Sequence, residues 1–316
     1  MRVFLTGGTG FVGLAMIARF LEQGAEVMAT AEAPPPDWAV RALGDGVRFG
    51  VVDVRDRAGF RAALAEWQPH ILVHGAALTP DEARERAGGA ADIFEINVAG
   101  TATAIELAAT LGVPRVMAFS SGAAYGRTLA DTDVLDEVET ECRPATLYAI
   151  SKLAAERVAL RLGDLHGVSV VTPRLSAAWG PWEYATTHRQ TPSPGWHITD
   201  AISAGERPTV PAGAALPLVF SEDAADMLVR LCLSDQAHGV FNVGSAEMVD
   251  LQGLADAAAT AKGIPPDATE RPVPLFVAGR PPMRLDRLTG AIGPLRRTPV
   301  VEALQRTLDW LAGVAE

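Results

Sequence analysis

The sequence predicts an α/β protein, a doubly wound parallel sheet with a small C-terminal cap, and three observations carry that prediction. Short apolar runs alternate with longer amphipathic stretches through the first half. A glycine cluster, Gly7 to Gly13, joins the first apolar run to the first amphipathic one. After Pro173 the texture changes to Pro-, Gly-, Trp- and Thr-rich sequence with little periodicity.

The strand candidates are Arg2–Leu5, Glu26–Thr30, Arg48–Val52, Ile71–His74, Arg115–Ser120 and Val168–Pro173. Between them the helix candidates are Gly10–Gln23, Arg57–Trp67, Ala91–Leu111 and Tyr148–Leu162. Parallel strands need crossovers, and helices of this length supply them on both faces of the sheet. Further on, Asp223–Leu233 reads as a helix and Val240–Val243 as a strand returning to the sheet; Val300–Leu311 closes the chain as a helix. The expected division is a main domain of residues 1–175 with 217–246, and a cap of residues 176–216 with 247–316.

With 316 residues the chain can bury a large core. Its formal charge of −11 gives a long-range field of the wrong sign for nucleic acid or an anionic membrane. Two cysteines, Cys142 and Cys232, in so long a chain suggest a reducing compartment. With no signal-like segment ahead of the first strand and no long apolar run, the expectation is a soluble cytoplasmic protein. The histidines and cysteines show no familiar ligand spacing, so no metal is expected.

In the opening Val3-Phe-Leu-Thr-Gly7-Gly-Thr-Gly10-Phe11-Val12-Gly13, glycines allow a tight turn. They also let backbone N–H groups approach a pyrophosphate at the positive end of a helix. The placement between strand and helix is that of a Rossmann dinucleotide site, although the spacing departs slightly from G-x-G-x-x-G. About 20 residues on, where the ribose is read, stands Glu32, able to accept from ribose hydroxyls. No Arg or Lys lies between Arg19 and Arg41 to neutralise a 2′-phosphate, so NAD is expected rather than NADP. Asp53 and Val54 follow the third strand and can hold adenine; the bland alternative for Asp53 is a helix N-cap.

Tyr148 and Lys152 are four apart on a predicted helix and share a face. The chain has only three tyrosines. A phenol with a reference pKa of about 10 is a poor base at neutral pH. An ammonium about 4 Å away favours the phenolate by roughly 4 kcal/mol before desolvation is counted. Tyr148 is therefore the expected proton acceptor as hydride leaves a substrate alcohol. Ser121, at the carboxyl end of a buried strand, can hydrogen-bond the reacting oxygen, or else bond its own backbone.

Taken in order, Gly7-Gly-Thr-Gly-Phe-Val-Gly13, His74-Gly-Ala-Ala77, Asn97-Val-Ala-Gly-Thr101, Ser120-Ser121 with Tyr125-Gly126, and Tyr148-x-x-x-Lys152 resemble the extended short-chain dehydrogenase/reductase family, its NAD-dependent epimerase/dehydratase group. The resemblance covers nearly the whole chain. It implies that Ser121, Tyr148 and Lys152 are catalytic, and that Lys152 also holds the nicotinamide ribose. It further implies a cofactor channel with Gly75, Ala76, Ala77 and Ser120, an Asn97 that supports the active-site helix, and Pro173 and Arg174 beside the nicotinamide. A homodimer is expected from the family.

The departures bear on the substrate. Where the family's dehydratases carry an Asp-Glu pair, this chain has Gly122 and Ala123, which leaves no acid and base for elimination. The position of the diphosphate-binding Arg holds Leu216, and the frequent Asn after the Pro-Arg strand is Ala177; Arg280 is a partial substitute. The sequence therefore favours an NAD-dependent dehydrogenase acting on a secondary alcohol of a small polar substrate such as a sugar, sugar acid or lactone. Ser121, Gly122, Ala123, Tyr148, Arg174, His188 and Arg189 are its expected substrate contacts. The alternatives are a nucleotide-sugar epimerase with tightly held NAD and, less favoured, a non-enzymatic redox sensor on the same fold.

Overall fold

The computed structural model describes residues 1–80, 82–186, 191–275 and 280–314. The main sheet has seven strands: β1 (Arg2–Thr6), β2 (Glu26–Ala31), β3 (Val47–Val51), β4 (Ile71–His74), β5 (Arg115–Ala118), β6 (Ser169–Leu175) and β7 (Gly239–Val243). Their order is β3-β2-β1-β4-β5-β6-β7, and every pairing is parallel. The chain winds outward in both directions from β1 and β4, so a crevice opens between them at their carboxyl ends. Thr30, Thr6, His74 and Ala118 lie in one register row along that edge.

Strands covered on both faces need apolar residues throughout, and β4 and β5 are buried at every position. On one face Val3, Leu5 and Val73 pack with α1 (Phe11–Glu22) and the later helix Ser221–Leu233. On the other, Phe4, Leu72 and Val116 pack with the helices Arg57–Trp67 and Gly100–Thr110. A third cluster, built around Trp179, Ile198, Leu254 and Leu304, belongs to the sequence after β6. There the helices Pro194–Ser203, Leu251–Ala261 and Val300–Val314 pack with short two-stranded pairings. Among the described residues no helix is long and apolar enough to cross a membrane.

Several elements differ from expectation. The single helix expected over Ala91–Leu111 is an α-turn (Ala90–Phe94), a π-turn (Glu95–Ala99) and an α-helix (Gly100–Thr110). Within the π-turn, Asn97 turns inward and its carboxamide binds both backbone groups of Leu78. Asp37–Leu43 is a helix with no counterpart in the hydrophobic pattern, preceded by Pro36. The helix expected over Tyr148–Leu162 runs from Leu147 to His166; Thr146 caps its start and Gly167, at φ +67°, ends it. We label this helix α2.

Candidate active site

A cavity of about 700 Å³ runs along the carboxyl edge of the sheet, from the glycine loop to the segment after β6. Its first wall is backbone. Gly7 has φ +70°, and a Cβ there would lie 2.7 Å from the Gly75 carbonyl and the Ala76 nitrogen. A Cβ on Gly13 would lie 2.5 Å from the Gly7 carbonyl oxygen. Glycine is therefore required at both positions for packing between β1, α1 and the loop after β4. Gly10 caps α1 without a side-chain hydrogen bond, so the helix's first N–H groups face the cavity, which Gly10, Phe11, Val12 and Gly13 line. This is a cradle for a diphosphate anion, and the residues present fit a dinucleotide cofactor.

Glu32, Asp53 and Val54 line the same end, as do Gly75, Ala76 and Ala77 after β4. Asp53 accepts from the Arg55 backbone and from its guanidinium, which holds the carboxyl below its ordinary value. Asp53 is not the helix cap; Asp56 is, accepting from the Ala58 and Gly59 amides. The sequence contains no basic residue near Glu32, but the fold brings Arg55 to 3.8 Å from it. That guanidinium is already committed to Asp53.

Ser121, Tyr148 and Lys152 line the middle of the cavity. Ser121 begins a 3-10 turn, its Oγ accepting from the Ala123 amide at 3.1 Å, which leaves its hydroxyl proton free to donate. Tyr148 stands in the first turn of α2, and Lys152 follows one turn later. Lys152 is only 4% exposed, and burial pulls its ammonium down to about 8, with Glu156 opposing the shift. His74, under the same edge, is pushed down to about 3 by burial and by Lys152, so it is neutral. Its Nδ1 shares a hydrogen bond with the Thr6 hydroxyl at 2.9 Å.

Other expected site residues lie elsewhere. Arg174 does not line the cavity: it is 1% exposed, donates to both oxygens of Glu156 at 2.9 and 2.8 Å, and lies 4.7 Å over the Tyr125 ring. Its charge is spent inside the protein, so it is not available to a substrate. Pro173, paired with Phe241 inside the sheet, is also absent from the cavity wall; Leu175 to Ala178, just beyond, line it instead. Asn97 is buried behind the wall, donating to Ser151 of α2 at 2.9 Å, so it supports the helix and does not touch the cavity. Gly122 and Ala123 lie in the 3-10 turn and do not line the cavity. Ser120 does line it, while donating to Glu156 at 2.8 Å. His188 and Arg189 fall outside the described residues.

Two groups of lining residues escaped sequence reasoning. Pro34 to Pro36 border the Glu32 end. Tyr184 reaches back across the loop to donate to the Thr9 carbonyl at 2.5 Å, and stacks edge-on against Trp38 at 5.4 Å. Arg280, offered in the sequence as a partial substitute for the diphosphate-binding Arg, lines the cavity, as do Leu216 and Pro217. It lies 132 residues after Tyr148 within a proline-rich segment, so no spacing rule joins them.

The sequence profile of the NAD dependent epimerase/dehydratase family matches residues 3–244. Among curated proteins the chain is 29% identical to the "Probable dTDP-glucose 4,6-dehydratase" of Sinorhizobium fredii, over 58% of this chain and 55% of that protein. It is 27% identical to the dTDP-6-deoxy-L-talose 4-dehydrogenase (NAD(P)(+)) of Kitasatospora kifunensis, over 86% of this chain and 83% of that one. With several of these relatives the match spans only about half of their length. The Thermus thermophilus UDP-glucose 4-epimerase, solved with NAD, superposes with a TM-score of 0.77 at 25% identity, covering 99% of both chains. With its seven-stranded parallel sheet, glycine-loop cradle and matched profile, the chain belongs to the NAD dependent epimerase/dehydratase family of enzymes.

Proposed function

We propose that the protein is an NAD-dependent dehydrogenase acting on a secondary alcohol or ketone of a small polar substrate, with Tyr148 as acid/base. The observation that supports it most is that Ser121, Tyr148 and Lys152 line one cavity with the glycine loop. When bound, the nicotinamide supplies a hydride acceptor or donor. Glu32, Asp53, Val54 and the glycine loop hold the adenosine and diphosphate. Lys152, one turn after Tyr148 on α2, holds the nicotinamide ribose. Tyr148 takes the hydroxyl proton as the carbon loses hydride, and Ser121 donates to the oxygen that becomes a carbonyl. Residues 176–216 with 247–316 form the substrate-binding cap, and the enzyme works as a homodimer in the cytoplasm on carbohydrate-derived substrates.

NADH formation, followed by absorbance on a panel of aldonates, uronates, aldoses and lactones, tests this reading. No absorbance change with any of them would count against it. The epimerase reading is favoured by the likeness to UDP-glucose 4-epimerase over the full chain. It requires UDP-hexose conversion without net NADH, and it fails if calorimetry detects no binding of UDP- or dTDP-sugars.

A further inference from the structure

We infer that Arg280 is the substrate-recognition cation of this site, taking a carboxylate carried by the substrate close to the carbon that exchanges hydride. This rests on the dehydrogenase reading above and narrows its substrate to small hydroxy acids and their keto acids.

Arg280 is 9% exposed and lines the cavity, yet no hydrogen bond or ion pair ties its guanidinium to any described residue, and its Nε is buried without a partner. The other two buried guanidiniums among the described residues both have partners: Arg174 has both oxygens of Glu156, and Arg115 donates to the Ser169 hydroxyl and to the carbonyls of Leu231, Ser234 and Ala237. Burying an unpaired charge is costly, and desolvation pulls the Arg280 pKa down, opposed only by Tyr148. A cation held this way is matched when an anion enters the cavity.

The position fixes which part of the substrate it meets. A Cβ built on Gly122, the residue after Ser121, would lie 3.7 Å from Arg280 Nη1. Arg280 is electrostatically coupled to Tyr148. The guanidinium therefore sits beside the reacting centre. The charged residues among the described cavity lining are Glu32, Asp53, Lys152 and Arg280. The two carboxylates face Arg55 at the ribose end, and Lys152 serves the cofactor and phenol. One unassigned cation matches one carboxylate, whose two oxygens fit the planar fork of a guanidinium. A diphosphate brings more negative charge, and the described lining holds no further unassigned cation to balance it.

The test uses NAD-loaded wild type and Arg280→Met with pairs matched except for carboxylate against CH₂OH: D-gluconate with D-glucitol, D-galactonate with galactitol, and D-threonate with threitol. Binding is read by calorimetry and hydride transfer by absorbance. The expected result is an aldonate preference of at least about tenfold in the wild type, lost in Arg280→Met while NAD affinity is unchanged. The melting temperature of the ligand-free variant should hold or rise, because an uncompensated buried charge has been removed; a structural arginine would lower it. Equal binding within every pair, no binding of any aldonate, or a preference that survives in Arg280→Met overturns the assignment. UDP-glucose binding that depends on Arg280 overturns it too, assigning the residue to a diphosphate. If aldonates bind through Arg280 but no NADH forms with any, the anion site stands and the dehydrogenase reading fails.

Discussion

Replacing Lys152 with methionine should stop hydride transfer and yet make the cofactor-free protein more stable near neutral pH. Lys152 is 4% exposed, and burial lowers its pKa from the ordinary 10.5 to about 8. At about 1.4 kcal/mol per pH unit, holding this ammonium charged costs the folded state ~3 kcal/mol relative to the unfolded chain. Because the side chain is buried, solvent does not screen that cost. Below about pH 8 both states are protonated and the full cost is present. Between about 8 and 10.5 the unfolded chain holds more protons than the folded one, so wild-type stability rises with pH. Above that window the cost is gone. Methionine keeps most of the buried stem and removes the charge, while Glu156 keeps its Arg174 partner. Urea unfolding of both proteins without cofactor, at steps from pH 7 to pH 10.5, measures the difference. Methionine should be ahead by ~1–3 kcal/mol at pH 7, with the gap closing as pH rises. A variant less stable than wild type at pH 7, or a gap independent of pH, would refute the reasoning.

Three further outcomes are expected. Tyr148→Phe should lower kcat by about a hundredfold or more with NAD affinity unchanged in calorimetry; retention of more than about a tenth of kcat would remove Tyr148 from proton transfer. Gly13→Ala places a Cβ 2.5 Å from the Gly7 carbonyl oxygen, so the loop must shift; NAD affinity should fall at least about tenfold, and unaltered binding would show that the loop tolerates displacement. Arg174→Met leaves the Glu156 carboxylate buried beside Ser120 without its cation and should cost about 3–5 kcal/mol in denaturant unfolding. A loss below about 1 kcal/mol would mean the pair is not the buried unit described.

Tyr148 and Lys152 were legible because an i, i+4 relation on one helix is a local fact; Gly7, Gly10 and Gly13 were legible because a strand-turn-helix junction is local too. Glu32 and Asp53 both line the cavity, since each lies just after a strand of a parallel sheet. Arg174 was misplaced for a physical reason. Its sequence position next to the crevice is the same whether the side chain points to a ligand or to a carboxylate on the neighbouring helix, and Glu156 decides which. The single helix read over Ala91–Leu111 missed its π-turn because periodicity records apolar faces, and the turn exists to aim the polar Asn97 inward.

The sequence alone made legible the alternation of strand and helix segments, the glycine junction between the first strand and the first helix, and the i, i+4 spacing of Tyr148 and Lys152, each of which rests on residues close together in the chain. Tertiary structure decided which charges are left for a ligand. Pairs such as Glu156 with Arg174, and Arg55 with Glu32, come together only when the chain folds. Among the described residues Arg280 is left without one, near a tyrosine 132 positions away in the chain.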